Sequence, residues 1–124
     1  MHPTVAPGLR SEGTFTITDA MTTAHTGTAV FSTPAMIQLM EDVSAGLVQA
    51  HLDDHESTVG VHVCVSHVAG SFVGEEVTVR TELRTVERDR FLTFDVSAHV
   101  GDRLLGAGTH QRAIIDLSRR RSRG

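Results

Sequence analysis

The chain has 124 residues, 40% of them apolar, enough for one domain with a core and too few for two ordinary domains. A formal charge of −4, aromatic residues at 4% and the lack of Trp and Tyr argue against a nucleic-acid partner, since neither phosphate neutralisation nor base stacking is provided for. The first residues, MHPTVAPGLR, hold no apolar leader core, and no run approaches the length of a membrane span, so no membrane association and a cytoplasmic location are expected.

Residues 1–12 hold two of the three prolines and little periodicity, which reads as a flexible N-terminal arm ahead of a single domain over 13–117. Gly13–Thr18 alternates as a first strand, and the small polar residues from Asp19 to Gly27 form a loop. A helix runs from Pro34 to about Leu52. Ser32 or Thr33 caps it, Pro34 suits its first turn, and Met36, Met40, Val43 and Leu47 recur at helical spacing. Steps of about 100° per residue place Glu41 at the border of that stripe and Asp42 towards solvent.

After Asp53–Thr58 the period changes to two. Strands are expected over 59–68, 75–86, 90–100 and 103–117, with GSFVG a tight link and the turns RDR and GDR closing antiparallel hairpins. Alternate valines from Val59 to Val65 read as a core-facing row that ends at His67, with His62 and Cys64 on the other face. Cys64, the single cysteine, is expected to be a buried, inert thiol. The order β-α-β-β-β-β gives an α+β fold, one long helix on one antiparallel sheet. The closing SRRRSRG reads as a basic disordered tail over 118–124.

Eight histidines raise the question of a metal, but His62 and His67 project to opposite faces, and paired cysteines and the His-Glu-x-x-His pattern are both missing. No metal and no cofactor are expected. There is no Gly-x-Ser-x-Gly elbow for a serine hydrolase. The remaining candidates are Thr33 at the helix start, Glu41 on the helix border and His67 at the end of the valine row. Each also has a structural explanation: a helix cap, an ordinary border acid, a strand-end imidazole. Spacing alone does not choose. If the helix packs across the sheet, a carboxylate and an imidazole converge, a pair that activates water or assists a nucleophile.

Phe31-Ser-Thr33 followed by MIQLMED, then Val59-Gly60 through Val-Cys-Val-Ser-His67, TELRTV over 81–86, VSAH over 96–99 and GAGTHQRAII over 106–115 resemble the fluoroacetyl-CoA thioesterase family of hotdog-fold enzymes. The resemblance spans roughly residues 30–117. It implies a hotdog fold, a homodimer joined edge to edge, and hydrolysis of an acyl-CoA thioester. It also implies site roles: Thr33, Glu41 and His67 catalytic, and Gly60 and Arg112 beside the thioester. Phe31, with Met36 and Met40, reads as apolar lining for the substrate. Glu41 either attacks the thioester or serves as base on water. Two differences from the family stand out. Asp19–Val30 is shorter than the family's lid segment and has no aromatic residue, and Pro34, which lacks an N–H, replaces a glycine. A non-catalytic acyl-CoA or small-ligand binding protein on the same fold is the alternative. An enoyl-CoA hydratase fits less well, because no Asp-x-x-x-x-His pattern falls in the sheet region.

Overall fold

A computed structural model describes residues 1–24 and 27–118. Among the described residues seven strands, β1 (Arg10–Thr16), β2 (Thr22–Thr23), β3 (Val30–Phe31), β4 (Glu56–His67), β5 (Glu76–Glu87), β6 (Phe91–Val100) and β7 (Arg103–Asp116), accompany one long helix, α1 (Thr33–Gln49). Five of them form an antiparallel sheet in the order β1-β5-β6-β7-β4, and α1 lies across it in contact with every strand. The expected α+β architecture is present.

The core lies between α1 and the inner face of the sheet. Met36, Met40 and Val48 of α1 meet Val77, Val79 and Leu83 of β5 and Leu92, Phe94 and Val96 of β6. Each such side chain, taken fully from water, contributes about 1.5–3 kcal/mol. The alternation that identified β5 and β6 is the same two-residue period that turns these residues inward. A polar pair lies within the apolar layer: the hydroxyls of Ser44 and Thr81 are 2.9 Å apart and satisfy each other. Gly106 of β7 allows α1 to approach closely, since a Cβ there would stand 2.6 Å from Met36 Sδ and 2.6 Å from the Ser66 carbonyl oxygen.

Several expectations need correction. Residues 1–12 are not a flexible arm: Arg10 to Glu12 belong to β1, Val5 is buried, Gly8 N–H donates to the Leu83 carbonyl, and Leu83 N–H donates to that of Leu9. The prolines break periodicity without preventing docking. A short 3-10 turn (Asp19–Met21) and β2, which pairs with β3, occupy part of the segment from Asp19 to Gly27 expected to be loop. The link after β4 is no tight hairpin, because β5 is paired with β1 and β6 while β4 stands at the far edge beside β7. Hairpins do join β5 to β6 and β6 to β7. The basic tail falls mostly outside the described residues.

The valine row is the largest correction. A β-bulge between Gly60 and His62 takes Val61 out of register. Paired residues share a face, so Gly60 opposite Arg112, Val63 opposite His110, Val65 opposite Gly108 and His67 opposite Gly106 all face the helix side, while Val59 faces away. Because β4 is an edge strand, Val59, Val61 and Val63 remain 37–48% exposed instead of filling a core. Cys64 is likewise exposed and not a buried thiol.

Candidate functional site

Thr33 and His67 meet at the start of α1. Ser32 is the N-cap, with extended backbone, and its hydroxyl accepts from Ala35 N–H at 3.2 Å. That bond leaves the Thr33 hydroxyl free of capping duty, and Thr33 Oγ1 lies 2.8 Å from His67 Nδ1. The His67 ring stands edge-on to Phe31, centroids 6.0 Å apart at 78°. Phe31 is buried, and its N–H donates to the Ser71 carbonyl at 2.8 Å. An open cleft of about 370 Å³ lies over this group, walled by Val30, Phe31, Thr33, His67 and Val68. His67 Nε2 is buried with no hydrogen-bond partner among the described residues. When Thr33 donates to Nδ1, the proton of the neutral ring sits on Nε2.

A second group forms midway along α1. Glu41, half-buried as its border position implies, places Oε2 3.5 Å from Arg112 Nη1. Arg112 is buried and anchored to Thr58, donating from Nε to Oγ1 at 2.8 Å and from Nη2 to the carbonyl oxygen at 3.0 Å. Burial lowers the guanidinium's pKa and the Glu41 charge opposes that shift, so Arg112 stays cationic. Gly60 leaves room for the carboxylate, because a Cβ there would sit 2.8 Å from Glu41 Oε2 and displace it. Thus Thr33, His67 and Phe31 come together, and so do Glu41, Gly60 and Arg112. No hydrogen bond or ion pair among the described residues joins the two groups. Eight helical residues separate Thr33 from Glu41, about 12 Å along α1, and seven strand residues separate Gly60 from His67, roughly 20 Å along β4.

His110 belongs to the second group and was not singled out from the sequence. It is 1% exposed, and Arg112 Nη1 lies 3.2 Å from its Nε2. The signal was available in His110-Gln-Arg112, since residues two apart on a strand share a face. Thr58 gave no comparable signal. At the C-terminal end of α1, ligand atoms of Asp53, His55 and Glu56 come within 4.8 Å of one another, the one such cluster among the described residues. The Met1 amine already occupies the Asp53 and Glu56 carboxylates. No described helix is long and apolar enough to cross a membrane.

Comparison with known proteins gives this geometry a context. Residues 15–118 match the profile of the fluoroacetyl-CoA-specific thioesterase family, FlK. The fluoroacetyl-CoA thioesterase of Streptantibioticus cattleyicolor is 42% identical over 90 residues, which are 73% of this chain and 64% of that protein's length. A variant of FlK solved in complex with acetyl-CoA is 33% identical and superposes with a TM-score of 0.88 over 96% of each chain. A hot-dog-like protein of Thermanaerovibrio acidaminovorans, 18% identical, shares the fold with a TM-score of 0.86 over 98% of this chain and 90% of its own. The fold is therefore the hotdog fold, and the chain belongs to the FlK family of fluoroacetyl-CoA-specific thioesterases.

Proposed function

We propose that the protein hydrolyses the thioester of a small or medium acyl-CoA to the free acid and CoA, using Thr33, Glu41 and His67 and no metal. The observation that carries this reading is the Thr33 hydroxyl, released from capping by Ser32 and held 2.8 Å from His67 Nδ1 at the floor of an open cleft. Membership of a thioesterase family supports it, as does the acetyl-CoA found in a relative.

The two groups of site residues act together if the protein is a homodimer joined through β4. Among the described residues no strand pairs with its outer edge, and it carries exposed valines. An antiparallel β4–β4 pairing with its dyad between Val63 and Cys64 sets Gly60 opposite His67 of the partner subunit. Glu41, Gly60 and Arg112 of one protomer then face Thr33 and His67 of the other across one thioester. Glu41 removes a proton from water and the resulting hydroxide attacks the carbonyl carbon. Alternatively the carboxylate attacks directly, and water cleaves the mixed anhydride. In both routes the carbon–sulfur bond breaks, the departing thiolate takes a proton from His67, and a proton of the attacking water returns to the ring. Backbone N–H groups beside Gly60 stabilise the oxyanion, with help from the positive end of α1, while the Thr33 hydroxyl donates to His67 Nδ1 and keeps the ring proton on Nε2. Phe31 borders the acyl chain.

Thiol release from a series of short and medium acyl-CoAs tests the activity, and absence of turnover across the series defeats it. Label in Glu41 after a single turnover in H₂¹⁸O identifies an anhydride cleaved at the Glu41 carbonyl carbon, because neither direct attack of water on the thioester nor cleavage at the acyl carbon places it there. The alternative, an acyl-CoA or small-ligand binder without catalysis, draws on Pro34, whose missing N–H removes one donor at the helix start. Thermal stabilisation by acyl-CoA without hydrolysis is its signature.

A further inference from the structure

We infer that His110 is a positioning residue: a neutral imidazole locked as its Nδ1–H tautomer, which aligns Arg112 with Glu41 and pins the β-bulge beside Gly60. The bonds dictate the tautomer. His110 Nδ1 lies 2.9 Å from the His62 carbonyl oxygen, which only accepts, so Nδ1 carries the proton. Nε2 lies 3.2 Å from Arg112 Nη1, which only donates, so Nε2 is bare. A proton on Nε2 would set N–H against N–H in a buried space, and the ring has no room to escape, stacked on Phe94 with centroids 6.2 Å apart at 25°. Glu41 and His62 are the other ionisable groups close to the ring, besides Arg112.

The two bonds reach two different parts of the site. The His62 carbonyl immediately follows the bulged Val61, so the Nδ1 bond fixes the bulge that directs Gly60 towards Glu41. The Nε2 bond occupies one Arg112 Nη1 proton and leaves another for Glu41 Oε2 at 3.5 Å. Among the described residues His110 makes no hydrogen bond to Thr33, His67 or Glu41, and it does not line the Thr33–His67 cleft. It sets the direction of the guanidinium and, through it, of the carboxylate.

Long-range ¹H–¹⁵N spectra of the wild-type protein test the tautomer without reference to activity. The expected pattern is a protonated Nδ1 and bare Nε2, unchanged from about pH 6 to about pH 8, the range in which an ordinary histidine titrates. A protonated Nε2, or titration with an ordinary midpoint, overturns the inference. The kinetic part rests on the thioesterase reading and uses the acyl-CoA the wild type turns over best. Gln places its amide oxygen near the Nε2 position, whereas Phe keeps the ring and removes both polar atoms. His110→Phe should lower kcat by about 10- to 100-fold with little change in KM, and His110→Gln should recover most of the loss. Equal impairment of the two variants, or wild-type kcat in both, overturns the positioning role. If the Phe variant does not fold, the Gln variant and the spectra decide. A wild type inactive on every acyl-CoA defeats the thioesterase reading, and the spectra still judge the tautomer.

Discussion

Replacing Gly60 by alanine adds one methyl group at the point where the site is tightest. The new Cβ would stand 2.8 Å from Glu41 Oε2, 3.3 Å from His110 Cε1 and 3.4 Å from Arg112 Nη1. Relief of the first contact moves the carboxylate by roughly 0.5 Å, judged against ordinary non-bonded separations. Buried Arg112, anchored twice to Thr58, and stacked His110 cannot follow it. A displacement of that size at a reacting group costs about 10- to 100-fold in kcat. Stability should barely change. Gly60 does not have a positive φ, so alanine fits the backbone and stiffens the unfolded chain by about 0.4–1 kcal/mol, which offsets part of the crowding. The assay is thiol release at saturating acyl-CoA, with thermal melting in parallel. Wild-type kcat in Gly60→Ala would refute the placement of Glu41 against Gly60, and a collapse in melting temperature would show that Gly60 serves the fold and not the site.

Three other outcomes follow from the same contacts. Ser32→Ala removes the α1 cap at a cost of about 1 kcal/mol, a fall of about 4 °C in melting temperature, and frees Thr33 to turn towards Ala35 N–H, so activity falls further than stability. Burial holds the His110 pKa below its ordinary 6.5, so the unfolded chain binds a proton that the folded chain refuses; stability is therefore lost as pH falls below about 6.5. Urea midpoints at about pH 7.5 and about pH 6 should show that slope, and His110→Gln should flatten it. Val63→Arg places a charge at the centre of the proposed β4 dyad, so equilibrium sedimentation should show monomers where the wild type gives dimers; dimers in both would reject that edge as the interface.

The elements that the sequence made legible are those whose burial follows their period. β5 and β6 bury alternate residues, so Val77 and Val79, or Leu92 and Phe94, announce the inner face directly. The α1 stripe was readable in the same way, and Glu41 stands at its border as the helical angle requires. In β4 the same alternation misled, because a bulge at Val61 exchanges the faces and an edge strand need not bury what it carries. Valine runs do not distinguish a core from an unpaired edge. The docking of residues 1–9 rests on backbone bonds to Leu83, more than 70 residues away, which no local pattern reports. In the site, Thr33 and His67 were paired by resemblance and meet in the structure, whereas Glu41 and His67 do not converge within one chain. His110 was hidden because a buried histidine on a strand has no distinctive spacing until its partners are known.

The separation of Glu41 from Thr33 and His67 makes subunit mixing the most direct test. Glu41→Ala and His67→Ala should each lower kcat on the preferred acyl-CoA by about 100-fold or more as homodimers. After subunit exchange in an equal mixture, half of the dimers should carry one intact site, restoring about a quarter of wild-type activity. Activity that stays at the level of the separate variants, with exchange verified by mass, would contradict a site shared between two chains.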